Sequence, residues 1–85
     1  MRMLKNQLYQ GLNRLHPNLG ELRLCYMDHQ DGRLYGWFTE TPAQTSEPYE
    51  VYVAITGEVV PDEYNYVCTT QLAEGGGYFV VHAFD

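Results

Sequence analysis

Residues 1–17, MRMLKNQLYQGLNRLHP, decide how the chain is classified. Met1, Leu4, Leu8, Leu12 and Leu15 recur at spacings of three and four, which lines them up along one side of a helix. Arg2, Lys5, Asn6, Asn13 and Arg14 fall outside that stripe. The spacing predicts an amphipathic helix over residues 3–16. Gly11 weakens it, and Pro17, Asn18 and Gly20 end it near His16. In a chain of 85 residues such a stripe is expected to cover the core rather than to recognise a partner.

From Glu21 onward the apolar period is two. In ELRLCYMD (21–28) Leu22, Leu24 and Tyr26 share one face, and Arg23, Cys25 and Met27 the other. DHQDG then bends the chain, and RLYGWFTET continues it, so strands are expected over 21–28 and 33–40. Gly36, inside an aromatic strand, makes room for a cross-strand ring or permits a bulge. After the polar loop TPAQTSEP, YEVYVAIT predicts a strand over 49–56, with Tyr49, Val51, Val53 and Ile55 opposite Glu50, Tyr52, Ala54 and Thr56. An acidic connection, TGEVVPDEYN, precedes strands over 66–72 and 78–84. The expected fold is a single α+β domain, residues 1–85, with the N-terminal helix packed on an antiparallel sheet of four to five strands.

Gly75, Gly76 and Gly77 look like a phosphate-binding loop, but such a loop needs a helix N-terminus after it. YFVVHAF follows instead, so AEGGG reads as a hairpin turn. His82 is the best candidate for a catalytic base, with Asp85 and Glu74 near in sequence, and a small hydrolase built on it is one alternative function. Its strand places it among apolar neighbours, which favours a structural role. His16, His29, His82, Cys25 and Cys68 lack the close pairing of a zinc site, and DHQDG lacks the alternate oxygen ligands of a calcium loop. No metal and no cofactor is expected.

All five basic residues lie within the first 33 positions against three acids, whereas residues 34–85 carry eight acids and no Lys or Arg. That sign attracts basic proteins and opposes direct nucleic-acid binding. The N-terminal stretch has no uninterrupted apolar run, so no signal peptide or membrane span is expected, and the location expected is cytoplasmic. Cys25 and Cys68 read as two buried, reduced thiols.

Eight Tyr, three Phe and one Trp exceed what one small core hides. With the acids they point to a non-catalytic binding protein that docks on a basic partner protein. One specific form is a phage or mobile-element inhibitor occupying the nucleic-acid site of a host defence or transcription protein. A homodimeric domain that binds a small ligand among its aromatics is a further alternative. Glu58, Asp62 and Glu63 beside Tyr64 and Tyr66 are the expected contact residues, because this stretch joins charge with aromatic anchors in a connection too polar for the core.

Overall fold

Residues 1–17 form two strands, not a helix. The computed structural model describes residues 1–18, 20–74 and 76–85, without the side chain of Glu74, and these residues form seven strands and no helix. They are β1 (Arg2–Gln7), β2 (Gly11–Leu15), β3 (Gly20–Gln30), β4 (Arg33–Pro42), β5 (Tyr49–Ile55), β6 (Tyr66–Glu74) and β7 (Gly77–Phe84). Two antiparallel sheets result, one in the order β1-β4-β3 and one in the order β2-β5-β7-β6. The expected α+β fold with a single sheet is therefore replaced by an all-β sandwich.

The reason lies in the leucine spacing. A spacing of four keeps two side chains together on a helix and on a strand alike; only a spacing of three separates the two. The two three-residue steps are Met1 to Leu4 and Leu12 to Leu15, and each joins an exposed residue to a packed one. Met1 is 83% and Leu12 50% exposed, whereas Leu4 and Leu15 pack against the core and Leu8 is 2% exposed. Inward parity is even in β1 and odd in β2, and it changes at a corner where the chain leaves one sheet for the other.

Asn13 holds that corner. It is 7% exposed, its Oδ1 accepts from the Tyr9 N–H at 2.8 Å, and its Nδ2 donates toward the carbonyls of Tyr9 (2.8 Å), Gly11 (3.1 Å) and Val51 (3.2 Å). Gly11 adopts a φ of 92°, which a residue with a Cβ adopts only with strain. A helix would have placed both residues mid-turn on its polar side; the corner uses both.

The hairpins follow the sequence more closely. Gln30 pairs with Arg33 across Asp31 and Gly32, whose φ values of 53° and 76° make the two-residue turn that Asp-Gly favours. In β3 the register shifts between Leu24 and Tyr26, so Cys25 is bulged. This reverses the alternation expected there: Tyr26 turns outward, 55% exposed, and Met27 turns into the core, 1% exposed. Gly36 makes room for a ring, but for Phe38 of its own strand rather than a cross-strand one. A Cβ at Gly36 would stand 2.8 Å from Phe38 Cε1 and Cζ and 2.9 Å from Leu24 Cδ1. Glu74 pairs with Gly77, as a turn at AEGGG requires, although Gly75 itself lies outside the described residues.

The core between the sheets is Leu8, Leu22, Leu24, Met27, Leu34, Phe38, Val51, Val53, Val81 and Ala83. Tyr49 ties the sheets together, since its hydroxyl donates to Asp85 Oδ2 at 2.6 Å and accepts from the Leu24 N–H, beside the bulge, at 3.1 Å. Its ring meets Phe38 edge-on at 6.2 Å. Burial and the Asp85 carboxylate push the Tyr49 hydroxyl well above the ordinary tyrosine range. Glu40, buried, accepts from Arg2 Nε at 2.7 Å and from the Asn18 N–H at 3.0 Å. The shortest Cα extent is 15 Å, which holds two sheets about 10 Å apart and no further layer. Among the described residues no third layer covers the outer faces, and only the connection from β5 to β6 crosses one of them.

Candidate functional site

The outer side of the four-stranded sheet carries a cross-strand row. Leu12 of β2 pairs with Tyr52 of β5, Tyr52 with Phe84 of β7, and Phe84 with Tyr66 of β6. Alternation turns all four outward because Val51, Val53, Val81 and Ala83 point in. Tyr66 and Phe84 meet at a ring-centroid distance of 5.8 Å, and Tyr66 is 61% exposed. The connection from β5 to β6 passes over this row: the Tyr64 ring stands 5.6 Å from that of Tyr52, and its hydroxyl donates to Glu50 Oε1 at 2.9 Å.

Glu50 also accepts from Arg14, at 2.8 Å from Nη2 and 3.2 Å from Nε. Arg14 first, and the Tyr64 hydroxyl second, hold its carboxyl below the usual carboxylate range, while the same contact raises the Tyr64 hydroxyl. Glu63 and Tyr64 join Arg14, Tyr49, Glu50 and Asp85 around a cleft of about 550 Å³. Carboxylates at an open rim beside clustered rings suit a cationic side chain, which gains both Coulomb attraction and a ring face.

Of the five expected contact residues, Glu63, Tyr64 and Tyr66 gather around the row. Asp62 is exposed on the same connection. Glu58 is drawn to the far end, where it accepts from Gln10 Nε2 at 3.0 and 3.1 Å and from the Ile55 N–H at 2.7 Å. Its part is to pin the turn after β5 to the corner between β1 and β2. Leu12 was expected in a helical core stripe and stands instead at the edge of the exposed row. Pairing reveals it, and no local pattern does.

His82 also points outward. Its Nε2 lies 2.7 Å from Thr56 Oγ1 and its Nδ1 2.8 Å from Thr69 Oγ1, and Thr69 in turn lies 2.7 Å from the Tyr66 hydroxyl. Both ring nitrogens thus meet hydroxyls, while the Asp85 carboxylate turns to Tyr49; the side chain of Glu74 lies outside the described residues. An apolar cavity of about 250 Å³ opens between the sheets near Leu8, Leu34 and Leu72, and Phe79 is the one ring among its lining residues. Among the described residues no group of three or more His, Cys, Asp or Glu side chains is placed to hold a metal. No helix there is long and apolar enough to cross a membrane.

Both cysteines are free. Cys68 is half-buried, and burial pushes its thiol up. Cys25, expected inside, is exposed, because the bulge puts it on the outer side of β3. A family model described as Domain of unknown function (DUF7352) matches residues 2–85. No curated protein and no solved structure matches the chain.

Proposed function

The chain belongs to the DUF7352 family, and we propose that it is a non-catalytic binding protein whose four-stranded sheet docks, by its outer face, on a basic surface of a partner protein. The observation that carries this reading is the row Leu12–Tyr52–Phe84–Tyr66. It is apolar and aromatic and faces away from the core, Leu12 and Tyr66 are exposed at its two ends while Tyr52 and Phe84 are half-buried, and Glu50 and Glu63 lie beside it. Exposed rings ringed by polar groups are the composition of protein interfaces, where aromatic anchors hold and the charged rim steers. Arg14 is the one cation there, and Glu50 already engages it, which leaves the rim acidic.

An inhibitor that occupies a nucleic-acid-binding cleft is the specific form this chemistry supports, since such a cleft offers Lys and Arg for the carboxylates and space for stacked rings. The test is affinity capture from source-cell lysate with the wild type and with Tyr66→Ala, read by quantitative mass spectrometry. A basic protein retained by the wild type and depleted by Tyr66→Ala, at unchanged melting temperature, is the expected result. Equal recovery on both baits would remove the row from the interface.

A further inference from the structure

The three-stranded sheet turns out a second aromatic face, one that carries cations beside its rings. Lys5 of β1, Trp37 of β4 and Tyr26 of β3 lie side by side in register. The Tyr26 and Trp37 rings stand 5.6 Å apart, Tyr35 meets Trp37 at 6.5 Å, and Lys5 Nζ lies 4.5 Å from the centre of the Tyr35 ring and 5.8 Å from that of Trp37. Along β4 Arg33 lies four residues before Trp37 on the same face; across the sheet, β1 and β3 add Lys5 and Arg23. By alternation Lys5, Arg23 and Arg33 share this face with Glu21 and Asp28, and Asp31 lies in the turn that joins β3 to β4, three positive charges against three negative, whereas Arg14 faces Glu50, Glu58, Asp62 and Glu63 across the other sheet and its connection, one against four. Asp28 is engaged locally, accepting from the Tyr26 hydroxyl at 2.8 Å and from the His29 N–H at 2.8 Å.

We infer that this face binds single-stranded nucleic acid, with bases stacking on Tyr26 and Trp37 and backbone phosphates meeting Lys5, Arg23 and Arg33. Stacking rings flanked by cations is the arrangement that holds single strands without reading their sequence. Lys5 covers Tyr35 and Trp37 from a flexible stem, so an arriving base takes its place over the rings while its ammonium moves to the phosphate. Four of the acids behind the charge of −6, Glu50, Glu58, Asp62 and Glu63, lie on the opposite sheet and the connection that follows β5. Those acids point away from this face, so a strand bound here meets them only through the solvent around the domain, over distances longer than the screening length of about 8 Å at physiological salt. With three cations on single-stranded phosphate, the logarithm of affinity is expected to fall with the logarithm of salt at a slope of about −2.

Trp37 is the only tryptophan, so its fluorescence reports from the platform itself. The experiment titrates the protein with a dodecamer of deoxythymidine, an abasic oligomer of equal length and polyglutamate. The thymidine oligomer should quench Trp37 and the abasic one should bind far more weakly. Tyr26→Ala should weaken binding about 5- to 150-fold, the range that loss of one stacking ring produces. Arg23→Gln should flatten the salt slope by about 0.7. Both residues are exposed, and urea midpoints matching the wild type confirm the fold of each variant. Equal affinity for thymidine and abasic oligomers, or no binding at about 50 mM salt, overturns the inference. Polyglutamate competing on equal terms assigns the face to an acidic protein instead. Loss on Tyr66→Ala, a change on the other sheet, also refutes the location and leaves the protein-docking proposal standing.

Discussion

Replacing Asn13 tests the corner that turns a would-be helix into two strands. Its Oδ1 takes one hydrogen bond and the two hydrogens of Nδ2 are shared among three carbonyls, so about three bonds operate at once. At about 0.5 to 1.5 kcal/mol net each, Asn13→Ala should lose about 2 to 4 kcal/mol, a large share of the roughly 5 to 15 kcal/mol that holds a typical domain together. Urea unfolding followed through Trp37, with a slope of about 1 kcal/mol/M, should show the midpoint moving down by about 2 to 4 M. Asn13→Asp keeps the acceptor for Tyr9 but points a carboxylate at three carbonyls. Burial and those dipoles raise its folded-state pKa above the unfolded value of about 3.9. Its stability relative to the wild type is therefore fullest below that pH and falls as pH rises. The gap from the wild type should widen between pH 4 and pH 7. Asn13→Ala within about 0.5 kcal/mol of the wild type, or a pH-independent gap for Asn13→Asp, would refute the role given to this side chain.

Leu8→Ala should cost about 2 to 5 kcal/mol and Leu12→Ala less than about 0.5, measured by thermal melts; equal losses would restore the helical stripe. Tyr49→Phe should cost about 1 to 3 kcal/mol by stranding the Leu24 N–H and the Asp85 carboxylate. Because the Tyr49 hydroxyl is raised, the wild type loses this advantage as pH climbs past about 10, and urea midpoints of the two proteins should converge there. Thiol titration without reductant should count two cysteines after denaturation, with Cys25 fast and Cys68 slow in the native state. A count of zero at monomeric mass would establish a disulfide instead.

From Glu21 onward the strands were legible in the sequence, though not their division between two sheets, because alternation and Asp-Gly turn chemistry act over a few residues while sheet membership is set by distant pairing. The five strands expected there appear with boundaries shifted by two residues or fewer. Residues 1–17 were not legible. They contain no β-branched residue, their leucine spacing suits a helix, and only pairing with β4 and β5 makes them strands. Met27 was misassigned for a related reason, since a bulge at Cys25 breaks a two-residue period without any glycine to mark it. For the candidate site, the acids and tyrosines of residues 62–66 could be named from composition. The row they border could not, because Leu12, Tyr52, Phe84 and Tyr66 come from four strands far apart in sequence.

The measurement that bears most directly on the docking proposal is surface plasmon resonance against the captured partner at two salt concentrations. It would compare the wild type with Asp62→Asn/Glu63→Gln and with Tyr64→Ala, Glu58 being left in place because it pins the turn after β5. Charge that steers encounter acts on association and is screened by salt, while a buried ring acts on dissociation. The double variant should associate more slowly and show a flatter salt dependence, and Tyr64→Ala should dissociate faster at both concentrations. Wild-type rates for both variants under both conditions would contradict the proposal that this face of the four-stranded sheet meets a basic partner.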